Sequence, residues 1–200
     1  TDPADGTVLR IVTLFDLDSA NTSLYGNDVM NGNDGNDDMY GGGATDTMHG
    51  NAGDDYLEGN GSTDTMYGDA GQDDMIGGTS QNGGGHPDGV DTMDGNEDQD
   101  VMAGDNASIT RPGGTDPADG TVLRTVTLFD LDSAVTSLYG NDVMNGNDGN
   151  DDMYGGGATD TMHGNAGDDY MEGNGSTDTM YGDAGQDDMI GGTSQNGGGH

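Results

Sequence analysis

The sequence predicts an all-β fold, a parallel β-solenoid in which short strands stack coil upon coil. The chain has 200 residues, of which 41 are Gly and only 28% are apolar, with no Trp and two Phe. This composition is too poor in apolar side chains for a conventional large core. Residues 1–86 recur at 115–200 with three differences, so the chain carries a tandem unit of 114 residues. Arrays of this kind bury their cores by stacking neighbouring repeats.

A second period of nine residues runs inside each unit. Five nonapeptides follow one another at 32–76: GNDGNDDMY, GGGATDTMH, GNAGDDYLE, GNGSTDTMY and GDAGQDDMI. A partial repeat precedes them at 23–31, a degenerate one follows at 77–85, two more fit at 86–103, and the frame resumes at 137–190. All thirteen Met residues fall at position eight. Asp occupies position six at Asp28, Asp37, Asp46, Asp55, Asp64, Asp73, Asp91, Asp100, Asp142, Asp151, Asp160, Asp169, Asp178 and Asp187.

Each nonapeptide predicts a six-residue turn followed by a three-residue strand. Glycine at positions one and four permits the positive φ of a tight turn. In the strand, positions seven and nine point outward and position eight points inward, so Met forms the core. Two nonapeptides make one coil of 18 residues, and coils stack about 4.8 Å apart. Repeats two apart are therefore neighbours on the same face.

Charge identifies the expected partner as a cation. The chain has 39 acidic residues, only three of them Glu, against three Arg and no Lys, giving a formal charge of −36. Nucleic acid and anionic membranes are repelled by such a surface. Stacked position-six carboxylates also repel each other, by roughly 4 kcal/mol per close pair at an effective dielectric of 20. We therefore expect a cation between them, and we expect ligation to supply the folding energy that the small core lacks.

The nonapeptide resembles the repeat of the RTX (repeats-in-toxin) family, whose pattern is GGxGxDxUx with U a large aliphatic residue. The resemblance implies a parallel β-roll with several Ca²⁺ ions per unit, held between adjacent turns by position-six aspartates and backbone carbonyls. It also implies export and folding outside the cell, where calcium is millimolar. Met in place of Leu or Ile at position eight departs from the family pattern.

The resemblance assigns the ligands in pairs, one from each of two repeats that lie two apart. The pairs are Asp28 with Asp46, Asp46 with Asp64, Asp37 with Asp55, Asp55 with Asp73, Asp73 with Asp91, Asp142 with Asp160, Asp160 with Asp178, Asp151 with Asp169, and Asp169 with Asp187. Asn82, Asn196 and Ile109 stand in the frame where Asp is expected, so no pair is assigned to them.

Non-repeat segments divide the chain. We expect a connector or capping strand at 1–22, a β-roll at 23–103 with an irregular loop at 77–89, and a linker at 104–114. A second connector follows at 115–136 and a second roll at 137–200. The apolar run TVLRIVTLFDL at 7–17 and its copy at 121–131 predict a strand. This strand either caps or connects successive rolls, or it is given to a neighbouring chain. The change from Ile11 to Thr125 indicates a position that is not deeply buried.

Other chemistry has weak support. No window fits an EF-hand, and a P-loop needs Lys. His49, His86, His163 and His200 have no second ligand at zinc spacing, so we interpret them as solvated. The Met column is explained by a core better than by copper ligation. Glu58 with a nearby Asp could form a glycosidase pair, but carboxylates are too abundant for such a pair to be informative.

The sequence therefore predicts a non-enzymatic, calcium-dependent structural protein, secreted or at the cell surface, that forms a filament, surface layer or adhesin stalk. Its partners would be calcium and other copies or tandem neighbours, with no nucleic acid and no membrane insertion. One alternative is the calcium-folding and secretion region of an exported toxin or hydrolase whose catalytic domain lies outside this sequence. Another is an ice-binding face made by the Thr columns. The sequence contains no Cys, and we expect neither a signal peptide at its start nor an apolar run long enough for a bilayer. We expect it to be a window from a longer array.

Overall fold

Two parallel seven-stranded sheets enclose one narrow core, and a two-stranded antiparallel hairpin lies beside them. The computed structural model describes residues 25–81, 87–115, 122–129, 131 and 135–192. Sheet A contains β1 (Val29–Asp34), β3 (Thr47–Ala52), β5 (Thr65–Ala70), β7 (Thr92–Glu97), β11 (Val143–Asp148), β13 (Thr161–Ala166) and β15 (Thr179–Ala184). Sheet B contains β2 (Asp38–Gly43), β4 (Tyr56–Gly61), β6 (Asp74–Ile76), β8 (Val101–Ala103), β12 (Asp152–Tyr154), β14 (Tyr170–Glu172) and β16 (Asp188–Ile190).

Successive strands of the roll alternate between the two sheets, so each coil consists of one strand from each sheet and the two turns that join them. Neighbouring coils stack in register, and Met48 of β3, for example, pairs with Met30 of β1 and Met66 of β5. The predicted parallel β-roll with two nonapeptides per coil is confirmed. No helix among the described residues is long and apolar enough to span a bilayer.

The position-eight side chains form the core of the roll. Eleven of them make one buried cluster, which contains ten Met residues and Leu57. Met30 and Met180 near the two ends are partly buried, and Met189 in the last strand is 50% exposed. The core is one side chain wide in each sheet, so each interior Met depends on the coils above and below it for its burial.

The turns differ from the prediction at position one. Positive φ occurs at position two, as at Asn51 (78°) and Asn60 (75°), and at position four, as at Gly53 (135°) and Ser62 (90°). The described position-one glycines do not adopt it. Asn and Asp tolerate the left-handed region better than other side chains, so position two takes this conformation without glycine. Pairing also continues through positions two and three, which lengthens the sheet A strands to six residues instead of three.

Both copies of the unit belong to the same roll. Strand β7 of the first copy pairs with β5 on one side and with β11 of the second copy on the other. In the same way, β8 pairs with β6 and β12. The core and both sheets therefore continue across the unit boundary without interruption.

Between the two copies the chain leaves the stack and forms the hairpin. Strand β9 (Ala107–Thr110) pairs antiparallel with β10 (Thr125–Leu128), and a short 3₁₀ helix follows at Thr136–Leu138. We expected a linker at 104–114, but β9 lies within it, because Ala107 and Ile109 alternate with more exposed neighbours and are buried. Strand β10 lies in the expected strand 121–131, and Thr125 is exposed. Its copy at 7–17 lies outside the described residues.

Candidate metal centre

The position-six aspartates form two columns, one along each edge of the roll. In every neighbouring pair, the backbone N–H of one Asp donates to Oδ1 of the Asp on the next coil, at 2.7–3.2 Å. The first column is Asp28, Asp46, Asp64, Asp91, Asp142, Asp160 and Asp178. The second is Asp37, Asp55, Asp73, Asp100, Asp151, Asp169 and Asp187.

One assigned pair is wrong. Asp73 pairs with Asp100 (2.8 Å) and not with Asp91, which instead accepts from the N–H of Asp64 (2.7 Å). The degenerate repeat at 77–85 contributes no strand among its described residues. The next repeat, which carries Asp91, therefore stacks directly on the repeat of Asp64 in the first column. Ile109, which the frame placed where Asp is expected, lies in β9 of the hairpin. Asn82 and Asn196 lie outside the described residues.

The two pairs that cross the unit boundary were not foreseen. Asp91 donates to Asp142, and Asp100 donates to Asp151, each at 2.8 Å. These partners are 51 residues apart in sequence, because the hairpin is inserted between them. No fixed spacing in the sequence could have revealed them.

The second oxygen of most of these carboxylates has no protein partner. Oδ2 is buried and accepts no hydrogen bond in twelve of the fourteen aspartates, all except Asp28, which begins the first column, and Asp187, which ends the second. A buried carboxylate oxygen without a partner is costly. The regular recurrence of such oxygens along both edges therefore indicates that each of them accepts a bound ligand.

The position-one glycines reveal where that ligand would lie. A Cβ added to Gly59 would stand 2.7 Å from Oδ2 of Asp64 and 2.6 Å from the carbonyl oxygen of Gly77 on the next coil. At Gly41 the corresponding distances, to Asp46 Oδ2 and to the carbonyl oxygen of Gly59, are both 2.7 Å. A carboxylate oxygen and a carbonyl oxygen thus converge beside each of these glycines. Position one requires Gly because a side chain would fill this space.

The donor set suits a hard cation. Carboxylate and carbonyl oxygens are the ligands that Ca²⁺ prefers, and the chain has no Cys to favour softer metals. Within the described ranges no three carboxylate or imidazole groups converge on one point. A bound Ca²⁺ would therefore need backbone carbonyls in addition to the aspartates. The residues present fit this requirement, since a carbonyl oxygen lies beside Oδ2 in eleven of these twelve aspartates, all except Asp178 in the last coil.

Burial raises the pKa of most of the carboxyls inside the columns. Burial is the largest cause that raises the pKa of Asp64 and Asp73 to about 7, of Asp160 to about 9 and of Asp100 to about 10. The backbone N–H of the preceding coil opposes the shift, and neighbouring carboxylates add to it. Without a cation, these four carboxyls therefore keep their protons to a higher pH than free aspartates do.

A second set of side-chain ladders runs in the opposite direction at position five. Oδ1 of Asn36 accepts from the N–H of Asp54 (3.1 Å), and Oδ1 of Asp54 accepts from the N–H of Gln72 (3.1 Å). Position six bonds to the coil before it, whereas position five bonds to the coil after it. The nonapeptide pattern alone did not predict this ladder, although Asn or Asp at position five beside an aspartate is a visible signal for it.

Two acidic residues outside the columns lie at the unit junction. Asp105 accepts from the N–H groups of Gly140 (2.7 Å) and Gly157 (2.5 Å). Asp88 accepts from Gly89 through Oδ1 (2.8 Å), while its Oδ2 is buried without a partner. Burial, and then the charge of Asp91, raises the pKa of Asp88. Neither residue occupies position six, so the repeat pattern gave no reason to select them.

The other candidates have structural roles. His49 stacks on Tyr67 with ring centroids 4.5 Å apart and contacts Asp69 at 3.3 Å. His163 repeats the arrangement on Tyr181 and Asp183, whereas His86 and His200 lie outside the described residues. Glu58 is buried and accepts from Tyr56 Oη, Thr79 Oγ1 and Ser80 N, which anchors the loop after β6.

Comparison with known protein families identifies the repeats that carry these columns. The RTX calcium-binding nonapeptide repeat matches in four copies, at residues 24–48, 40–75, 136–162 and 154–189, which together cover just over half of the chain. The chain belongs to the RTX calcium-binding repeat family. RTX repeats are calcium-binding structural regions that occur in secreted proteins. Comparisons with curated proteins and with solved structures gave no significant match.

Proposed function

We propose that this chain is a section of an extracellular structural protein whose tandem units stack into one calcium-dependent rod, as in a filament, a surface layer or an adhesin stalk. The observation that carries the proposal is the pairing of β7 with β11 and of β8 with β12, through which two units share both sheets and one core. The calcium-folding region of an exported toxin would need only one stable roll. A rod needs the roll of each unit to continue into the next, as it does here.

The position-six columns supply the proposed calcium dependence. Twelve of their Oδ2 atoms are buried without partners, and eleven of these lie beside a carbonyl oxygen of the next coil. We expect each interior Asp to serve the sites on both sides of it, because its carboxylate contacts the preceding coil through Oδ1 and faces the following coil through Oδ2. Several ions per 114-residue unit follow from this arrangement.

The length of the particle tests the rod. The first unit contributes four coils, β1–β2 to β7–β8, so each unit should add about 19 Å at a spacing of about 4.8 Å per coil. Chains of two, three and four units should therefore lengthen linearly in millimolar calcium, as measured by small-angle X-ray scattering and electron microscopy. In chelator the same chains should be expanded and flexible.

Two results would reject the rod. Units that fold in calcium but scatter as independent beads would show that the roll does not continue beyond one junction. That outcome would favour the secretion region of an exported toxin or hydrolase. Chains that keep their length and far-ultraviolet spectrum after complete chelation would instead reject calcium as the structural ligand.

A further inference from the structure

The hairpin β9–β10 covers the outer face of sheet B at the junction between the two units. Outward positions of a solenoid usually face water, but Ile76, Val101 and Ala103 are at most 2% exposed. They form one apolar cluster with the hairpin and with the second unit. The other members are Ala107, Ile109, Tyr154 and Tyr170, with Tyr56, Val126, Leu128 and Ile190 packed at its margin.

An ionic latch fixes the hairpin on the first unit. Asp74 of β6 accepts from Nε of Arg111 at 2.7 Å and from Nε of Arg124 at 2.9 Å, and the side chains of Asp74 and Arg124 are each only 4% exposed. Gln72 adds its backbone oxygen to Arg111 (2.7 Å) and its Oε1 to Arg124 (3.1 Å) and to the N–H of Val122 (3.0 Å). Two of the three basic residues in a chain of charge −36 thus meet at one carboxylate.

The latch joins residues from different copies of the unit. Asp74 belongs to the first copy, whereas Arg124 and β10 belong to the second. The sequence repeats both halves, because Asp74 recurs as Asp188 and Arg124 corresponds to Arg10. Every unit therefore carries an acceptor near the end of its roll and a donor segment near its start.

We propose that the outer face of sheet B around Gln72, Asp74 and Ile76 is a docking surface for the arginine-bearing strand of the following unit, and that this latch sets the register in which units join. The same surface recurs around Gln186 and Ile190, so the partner it fits is a further copy of the repeat. The latch uses no cation from solution, so it can position a junction before the calcium columns across it are complete. This inference holds whether or not the rod forms a filament.

Amide hydrogen exchange of the 200-residue chain in millimolar calcium tests the latch. Asp74→Asn and Arg124→Gln should each speed exchange in peptides covering Val143–Tyr154 by about tenfold or more, since a buried ion pair that loses one partner is strongly destabilised. The affected amides include Val143 and Asp152, which donate across the junction to Asp91 and Asp100, each at 2.9 Å. Exchange at Thr47–Gly61, inside the first unit, should change by less than about twofold.

Asp188→Asn is the matched control, because it makes the same substitution at the same repeat position four coils from Asp74. It should leave exchange at Val143–Tyr154 unchanged. Arg124→Lys, which keeps the charge but loses the two-pronged contact, should give an intermediate effect and provides a milder variant if the others fail to fold. Unchanged exchange at the junction in all Asp74 and Arg124 variants would overturn the proposal. Uniform acceleration along all seven coils would also overturn it, because the hairpin would then supply general stability and not a joint.

Discussion

The carboxylate of each interior position-six aspartate has two different environments. Oδ1 of Asp55 accepts the N–H of Asp37 at 2.7 Å, while its Oδ2 is buried without a partner. The backbone of Asp55 also donates to Oδ1 of Asp73 at 2.7 Å. One residue therefore connects three successive coils, and its loss should be felt at two sites.

Asp55→Ala should abolish two calcium sites, whereas Asp38→Ala should abolish none, because Asp38 is exposed at outward position seven. Isothermal calorimetry of both variants measures the stoichiometry. Asp55→Asn separates the two roles, since it keeps an oxygen to accept from Asp37 but removes the charge. Equal losses of calcium from the Asp55 and Asp38 variants would contradict the assignment of the columns.

The buried carboxyls also predict an unusual pH dependence. Burial raises the pKa of Asp64, Asp73 and Asp151 to about 7, above the value near 4 of the unfolded chain. Their protonated forms therefore stabilise the calcium-free fold fully below pH 4, and this stability is lost as the pH rises through 7. Calcium-stripped protein should be more folded at pH 5 than at pH 8 by circular dichroism.

Calcium binding should reverse this preference, because the ion needs ionised ligands. At pH 5, where the calcium-free chain should keep more of its fold, a carboxyl with a pKa of about 7 is protonated, so each of these three should release about one proton when calcium binds. Calorimetry in two buffers of different ionisation enthalpy counts the protons. Binding that releases none at pH 5, or a stripped protein equally folded at both pH values, would show that these carboxyls are already ionised.

At the scale of the turn, we expect glycine at position one to keep space for the proposed cation. Gly59→Ala would place a methyl group 2.7 Å from Oδ2 of Asp64 and 2.6 Å from the carbonyl oxygen of Gly77. Both distances are too short for a carbon, so the variant should lose the calcium site between these coils and unfold at a higher residual calcium concentration. Gly26→Ala is the control, because its Cβ would meet nothing closer than 3.9 Å. Calcium titrations that do not distinguish the two variants would refute this role.

The nonapeptide predicts the strands and the core but not every turn. Position eight could be assigned from Met alone, because alternation in a strand leaves one inward side chain per repeat. The prediction that position one needs glycine for positive φ was wrong. Glycine also allows other atoms to approach the backbone closely, and the sequence does not distinguish this role from positive φ. Asn51 and Asn60 take the left-handed conformation instead.

The connections between coils were harder to predict, because a regular frame fixes neighbours only while it is unbroken. Asp73 was paired with Asp91 by counting repeats, and the loop after β6 shifted the partner to Asp100. The hairpin separates Asp100 from Asp151 in sequence although they are adjacent in the stack. Insertions of this kind cost little in loop entropy, so length alone does not show whether a segment ends a roll or leaves and rejoins it.

At the scale of the whole molecule, the large negative charge and the narrow core both lower the stability of the calcium-free fold. The chain carries a formal charge of −36, and its roll core is one side chain wide in each sheet. Removing calcium should therefore unfold all seven coils together, since every interior Met needs both neighbours for its burial and every column would repel itself. Circular dichroism during titration with EGTA should show one cooperative loss of β structure, fully reversed by calcium but not by magnesium, which is too small and too rigidly octahedral for such a site. The calcium midpoint should lie at about 10⁻⁴ to 10⁻³ M, the range of extracellular modules. A spectrum unchanged in EGTA, or recovery in magnesium alone, would show that the fold does not require calcium.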